Sequence, residues 1–132
     1  MVKVNDIARQ NVVTCKITDD VPYVAKKMVD AEVGSIFVED EEGRIVGLIT
    51  DGQIFRLVAD REDPTRKTAK DIMVTPIQKI DKNASLKEAW ELFQKTGYKR
   101  LAVTDKGKIV GVLSRKIVQK FMKYSRAKTL LE

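Results

Sequence analysis

Apolar and polar positions along the chain follow one five-part pattern, and they follow it twice. A short apolar stretch comes first, Val12 to Cys15 and then Ile77 to Ile80, each of strand length. Apolar residues at helical intervals come next. In the first copy Val21, Val24, Ala25 and Met28 recur along a segment that opens on Asp20 and Pro22 and is predicted to end near Gly34. In the second copy Leu86, Ala89, Trp90 and Phe93 recur between Ser85, which has Glu88 at capping-box spacing, and the helix stop Gly97. Two strands joined by a tight turn follow: Ser35 to Glu39 with Arg44 to Ile49, and Arg100 to Thr104 with Lys108 to Leu113. A closing helix ends each copy, over about Gly52 to Asp60 and about Arg115 to Arg126. The predicted class is α+β, with the order strand, helix, strand, strand, helix repeated.

The two copies align residue by residue. With a shift of 65, Asp6-Ile7 falls on Asp71-Ile72, Val21 on Leu86, Met28 on Phe93, Ile36 on Leu101 and Val38 on Val103. The shift then drops to 64, which brings Gly43 to Gly47 onto Gly107 to Gly111 and Thr50 onto Ser114. The single gap falls in a charged Gly turn. Residues 1–62 are read as the first repeat, 63–70 as a linker and lead-in carrying Pro64, and 69–132 as the second repeat with a basic C-terminal helix. A unit of roughly 60 residues buries only about 60% of its unfolded surface, which is marginal for folding alone. The expectation is therefore an α/β sandwich, two repeats related by a pseudo-two-fold axis with their sheets packed together and helices outside.

Composition narrows the chemistry. The 132 residues include no His and one Cys, which removes His-based nucleophile pairs, His zinc sites, internal disulfides and thiolate cages. Paired carboxylates or a nucleophile beside a base do not stand out either, so an enzyme is not expected. No uncharged run approaches the ~20 apolar residues of a membrane span, and a soluble cytoplasmic domain is expected. Cys15 aligns with Ile80 and reads as a small buried hydrophobe, and Trp90 as core.

The net charge of +6 is unevenly distributed. Residues 1–66 hold 9 Lys plus Arg against 13 Asp plus Glu, and residues 67–132 hold 16 against 6, so the halves carry −4 and +10. In the closing helix Lys116, Lys120 and Lys123 form a basic stripe with Tyr124 at its edge. That stripe reads either as a solvated face or as a contact for nucleic acid or an acidic partner; nucleic acid is not favoured, because no groove-entering motif or stacking platform accompanies it.

The duplicated exits, Gly43-Arg44-Ile45-Val46-Gly47-Leu48-Ile49-Thr50 and Gly107-Lys108-Ile109-Val110-Gly111-Val112-Leu113-Ser114, resemble those of a tandem pair of CBS (cystathionine beta-synthase) domains, a Bateman module, over about Val4 to Met122. The resemblance implies a regulatory module, with no required cofactor, that senses adenosine nucleotides or related adenosyl compounds in clefts between the repeats and acts on a separate protein. Carried over by position, one site would draw on Val13, Thr14, Gly34, Ser35, Ile36, Thr50, Asp51 and Gln53. The other would draw on Ile77, Lys99, Arg100, Leu101, Ser114, Arg115 and Ile117. The family places a ribose-binding Asp three residues after the Thr or Ser; here Gln53 and Ile117 stand there, and only Gln53 can hydrogen-bond.

In the second site Lys99, Arg100 and Arg115 are expected to converge where guanidinium forks suit phosphate; in the first, Asp51 repels it. Plainer readings stand beside these: Lys99 and Arg100 as solvated residues, Thr50 and Ser114 as helix N-caps. The resemblance also implies a homodimer, and the −4 and +10 halves favour a head-to-tail arrangement. The alternative function is an anion- or nucleic-acid-binding interaction protein with vestigial nucleotide sites.

Overall fold

The computed structural model describes the backbone of residues 2–131 and the side chains of residues 2–123. Tyr124 therefore lies outside the described side chains. In chain order the elements are α1 (Val4–Ile7), β1 (Thr14–Lys16), α2 (Val21–Ala31), β2 (Ser35–Glu39), β3 (Ile45–Thr50) and α3 (Asp51–Ala59). A 3-10 turn (Pro64–Arg66) leads to α4 (Ala69–Ile72), β4 (Lys79–Asp81), α5 (Leu86–Thr96), β5 (Arg100–Asp105), β6 (Lys108–Ser114) and α6 (Arg115–Leu131). The class is α+β, with two repeats of the same units. Among the described residues no helix is long and apolar enough to cross a membrane.

The chain forms two compact units that are not consecutive in sequence. One is Val13–Ile77; the other joins Met1–Val12 to Gln78–Glu132. Each repeat thus folds with the lead-in of the other. The cause is apolar burial at two points: Val4 of α1 is fully buried in a core with Ala89, Phe93, Leu101, Val103, Leu113 and Val118. Ala69 of α4 likewise joins Cys15, Val24, Met28, Ile36, Val38 and Ile49. The charged segment read as a surface linker is consequently pinned at its end, where Ala69 N–H donates to Asp19 O (2.8 Å) and Val21 N–H to Lys67 O (3.0 Å). Exchanging lead-ins leaves the charge contrast intact, since residues 13–77 hold 9 basic against 13 acidic side chains and the remainder 16 against 6.

Each unit holds a three-stranded sheet, in the orders β1-β2-β3 and β4-β5-β6, with the first pair parallel and the second antiparallel. The first strands begin later than their apolar residues predict, at Thr14 and Lys79, because pairing with β2 and β5 sets the strand limits. Helix α2 stops at Glu32, in the left-handed region with φ 55°, rather than near Gly34; its N–H reaches the carbonyls of Met28 and Val29. Gly97 ends α5 with φ 72°, where the absence of a side chain removes the strain. The one-residue gap between repeats is a turn difference. Lys106 and Gly107 (φ 52° and 82°) form a two-residue turn, whereas Asp40 Oδ1 accepts the N–H groups of both Glu42 and Arg44 in a turn one residue longer.

Cys15 is buried as expected, and burial, with Asp19 adding to it, pushes its thiol up to about 11. Trp90 is half-buried against the core and not wholly within it.

Candidate functional site

Strand alternation decides which candidate side chains share a face. In the Val13–Ile77 unit Ile36, Val38 and Ile49 point into the helix-covered core, so their neighbours Ser35, Phe37, Leu48 and Thr50 point the other way. Ser35 pairs with Thr50 and Thr14 with Phe37, so Thr14, Ser35 and Thr50 share that second face. Val13 and Ile36 do not, because both pack with the core. Asp51 N–H donates to Gly34 O (3.0 Å), tying the start of α3 to the residue before β2. Thr50 sits at the N-cap of α3, and both its N–H and its Oγ1 hydroxyl donate to Gln53 Oε1, each at 2.7 Å. The carbonyl end of Gln53 is thus occupied by the helix cap. Its amide nitrogen, a donor, takes no part in the cap.

The second-repeat unit repeats this frame with different chemistry. Arg100 pairs with Ser114, and Arg115 N–H donates to Lys99 O (3.0 Å), the counterpart of the Asp51–Gly34 bond. Ser114 Oγ accepts the Ile117 N–H (3.1 Å) and caps α6. Lys99, Arg100, Ser114 and Arg115 therefore lie at one end of the hairpin. Leu101 faces the core, Ile117 stands on the first turn of α6 at 44% exposure, and Ile77 belongs to the other unit.

Arg115 is the candidate whose side chain takes an unforeseen course. Its guanidinium lies 5.7 Å from the centroid of the Trp90 ring, a cation–π placement that holds it toward α5. The cation that strand register sets on the face of Arg100 is instead Arg9, which sequence reasoning did not single out and whose guanidinium donates to Asn11 O. Burial, and then the charge of Arg100, both lower the pKa of Arg9. Its signal lay in the repeat alignment, where Arg9 stands opposite Val74, but nothing in the sequence tied the lead-in to the second sheet.

The profile of the CBS domain matches residues 4–60 and 69–124. The chain belongs to the CBS domain family. Among relatives of this CBS pair, the uncharacterized protein MK0525 of Methanopyrus kandleri is 29% identical over 115 residues, covering 86% of this chain and 59% of that protein. The chain therefore spans less than two thirds of that relative. Of the solved structures, the CBS domain pair of MJ0100, in complex with 5-methylthioadenosine and S-adenosyl-L-methionine, superposes with a TM-score of 0.79 at 19% identity, over 95% of this chain and 98% of that one. CBSX2 in complex with AMP superposes with a TM-score of 0.70 at 23% identity, over 96% and 99%. These two likenesses are likenesses of fold.

Proposed function

We propose that this CBS pair is a regulatory module that senses adenosine nucleotides or related adenosyl compounds and conveys their presence to a protein partner. The observation that carries this reading is the duplicated frame in which the residue opening the middle strand pairs with the hydroxyl that caps the following helix: Ser35 with Thr50, and Arg100 with Ser114. The adenosyl ligands of MJ0100 and CBSX2, which share the fold, support it. The second repeat is the preferred site, because Lys99 and Arg100 offer cationic donors where the first repeat offers Gly34 and Ser35 beside Asp51. At about 0.3 kcal/mol per non-hydrogen atom, a ligand of this size binds in the micromolar range. Thermal-shift and calorimetric titration with AMP, ADP, ATP and S-adenosylmethionine tests the reading. At least one should raise the melting temperature at millimolar concentration; no shift with any of them, together with salt-sensitive RNA binding, would favour the anion-binding alternative.

We further propose that copies of the chain pair through helix faces. Helix α3 leaves Phe55 and Val58, one turn apart, each 68% exposed. The −4 and +10 units favour an arrangement that sets one against the other across a two-fold axis. Light scattering should give a dimer mass that Phe55→Asp reduces toward the monomer and that added salt weakens. A mass indifferent to both changes overturns the pairing.

A further inference from the structure

Helix α6 exposes a row of one sign. Lys116, Lys120 and Lys123 stand at i, i+4 and i+7, which puts them on one face about two turns long, and all three are exposed. The opposite side seats the helix: Val118 is fully buried and Met122 packs against the same core. Over Arg115–Leu131 the sequence carries six Lys or Arg and no Asp or Glu, so the row has no neutralising neighbour on its own helix. Among the described residues none of the three lysines pairs with a carboxylate, whereas Lys26, Arg44, Arg56, Lys67 and Lys82 all do.

Folding does not call for this row. In the first repeat Gly52, Arg56 and Ala59 of α3 stand at the equivalent positions, and Arg56 pairs with Asp60 at 3.1 Å. Like charges at i, i+4 and i, i+3 destabilise a helix, so α6 carries a repulsion that its counterpart avoids. What faces solvent beside the row narrows the partner. Ile117, next around the helix, is 44% exposed and adds an apolar contact of the kind that protein interfaces bury. Helix α5, which packs against α6, exposes Glu88 and Glu91 beside Lys87 and Lys95, so the surface of single sign is one helix wide. That width suits a narrow acidic segment better than a nucleic acid, whose phosphates extend over neighbouring surface and would meet those carboxylates. The broad apolar face that insertion into a lipid surface requires is spent on the core by Val118 and Met122.

We propose that the face of α6 formed by Lys116, Lys120 and Lys123, with Ile117 at its edge, docks an acidic helical segment of the regulated protein, whose carboxylates at i, i+4 and i+7 meet the three ammonium groups. That the segment belongs to a regulated protein rests on the reading above; the docking face itself does not. The probe is a fluorescein-labelled, Ala-rich helical peptide with Glu at i, i+4 and i+7 and Leu on the flank. It is titrated with the full chain and followed by anisotropy, beside a scrambled peptide of the same composition and an oligouridine RNA. The ordered peptide should bind. Lys116→Glu, Lys120→Glu and Lys123→Glu together should weaken it by about tenfold or more, since each exposed ion pair becomes a repulsion. The corresponding triple Gln variant should fall between, and Ile117→Ser should weaken the peptide by about threefold or more through lost apolar burial. The lysines are exposed, so both triple variants should keep the circular dichroism spectrum, the Trp90 emission and the thermal shift with adenosine nucleotides of the parent.

Equal affinity for the ordered and scrambled peptides, or an affinity that either the triple Glu variant or Ile117→Ser leaves unchanged, overturns the docking face. RNA that binds more tightly than the peptide at equal salt, and is lost in the triple Glu variant, assigns the row to nucleic acid and overturns it as well. So does the absence of peptide binding at protein concentrations up to about 1 mM. These results leave the nucleotide reading in place, because that reading is tested by the thermal shifts. Peptide binding with no thermal shift from any nucleotide upholds the docking face and overturns the nucleotide reading.

Discussion

Replacing Val4 by Asp should unfold the unit that contains the second repeat. Val4 is fully buried among Phe93, Leu101 and Leu113, and a carboxylate placed there loses several kcal/mol of solvation with no buried cation among the described residues to pair with it. That cost is comparable to the whole stability of a small domain, about 5 to 15 kcal/mol. The single Trp, Trp90, packs against this same core, so its fluorescence reports the loss directly. Val4→Ala should be milder, at about 2 kcal/mol.

Gly111→Ala should act on the same docking from the other side. The new methyl meets a backbone oxygen of Arg9, which cannot swing away, and the expected cost is about 1 to 3 kcal/mol. Gly47→Ala in the other repeat meets the flexible Met73 side chain and should cost less. A Trp90 unfolding transition unmoved by Val4→Asp would show that the lead-in does not belong to the second repeat.

If the second repeat holds the proposed nucleotide, Arg100→Glu should reduce binding of ADP by on the order of 100-fold or more, because a charge-assisted donor is exchanged for a charge of the same sign as phosphate. Adenosine, which carries no phosphate, should change by no more than about threefold. Stability should move the other way. A Glu at this position shares its face with Arg9 and replaces repulsion by attraction, so the melting temperature should hold or rise while ligand is lost. Calorimetry and thermal melts on the same preparation check both halves. Retained ADP affinity would remove Arg100 from the site, and a fall in stability would mean that its charge serves the fold.

Local patterns in the sequence carry local structure well. Period-two alternation puts Ile36, Val38, Leu101 and Val103 into cores and turns Ser35 and Arg100 away from them, as their neighbours' burial requires. Ser85 and Asp20 cap their helices, accepting the N–H groups of Glu88 and Tyr23. Glu32 shows the limit of such reading. A non-glycine residue took the left-handed position because Val33 N–H also returns to Met28 O, closing the helix before Gly34 is reached. The four-residue helices α1 and α4 went unread, since a single turn carries no measurable periodicity.

The candidate site divides along the same line. Its hairpin ends, with Ser35 beside Thr50 and Arg100 beside Ser114, follow from strand pairing across a short turn and are legible in the repeat. The course of Arg115 over Trp90 is not, because it depends on how α5 and α6 lie together.

From the sequence alone come the duplication, the α+β element order, the −4 and +10 contrast, the helix-capping hydroxyls and the family. The tertiary structure alone decides which lead-in folds with which repeat, and so brings Arg9 to the face of Arg100. The physical reason is range. Strand alternation and helix capping act over a few residues and leave a repeating mark, whereas the burial of Val4 against Phe93 and the Arg9–Val112 bridge join residues far apart in the chain, through one side chain and one pair of hydrogen bonds.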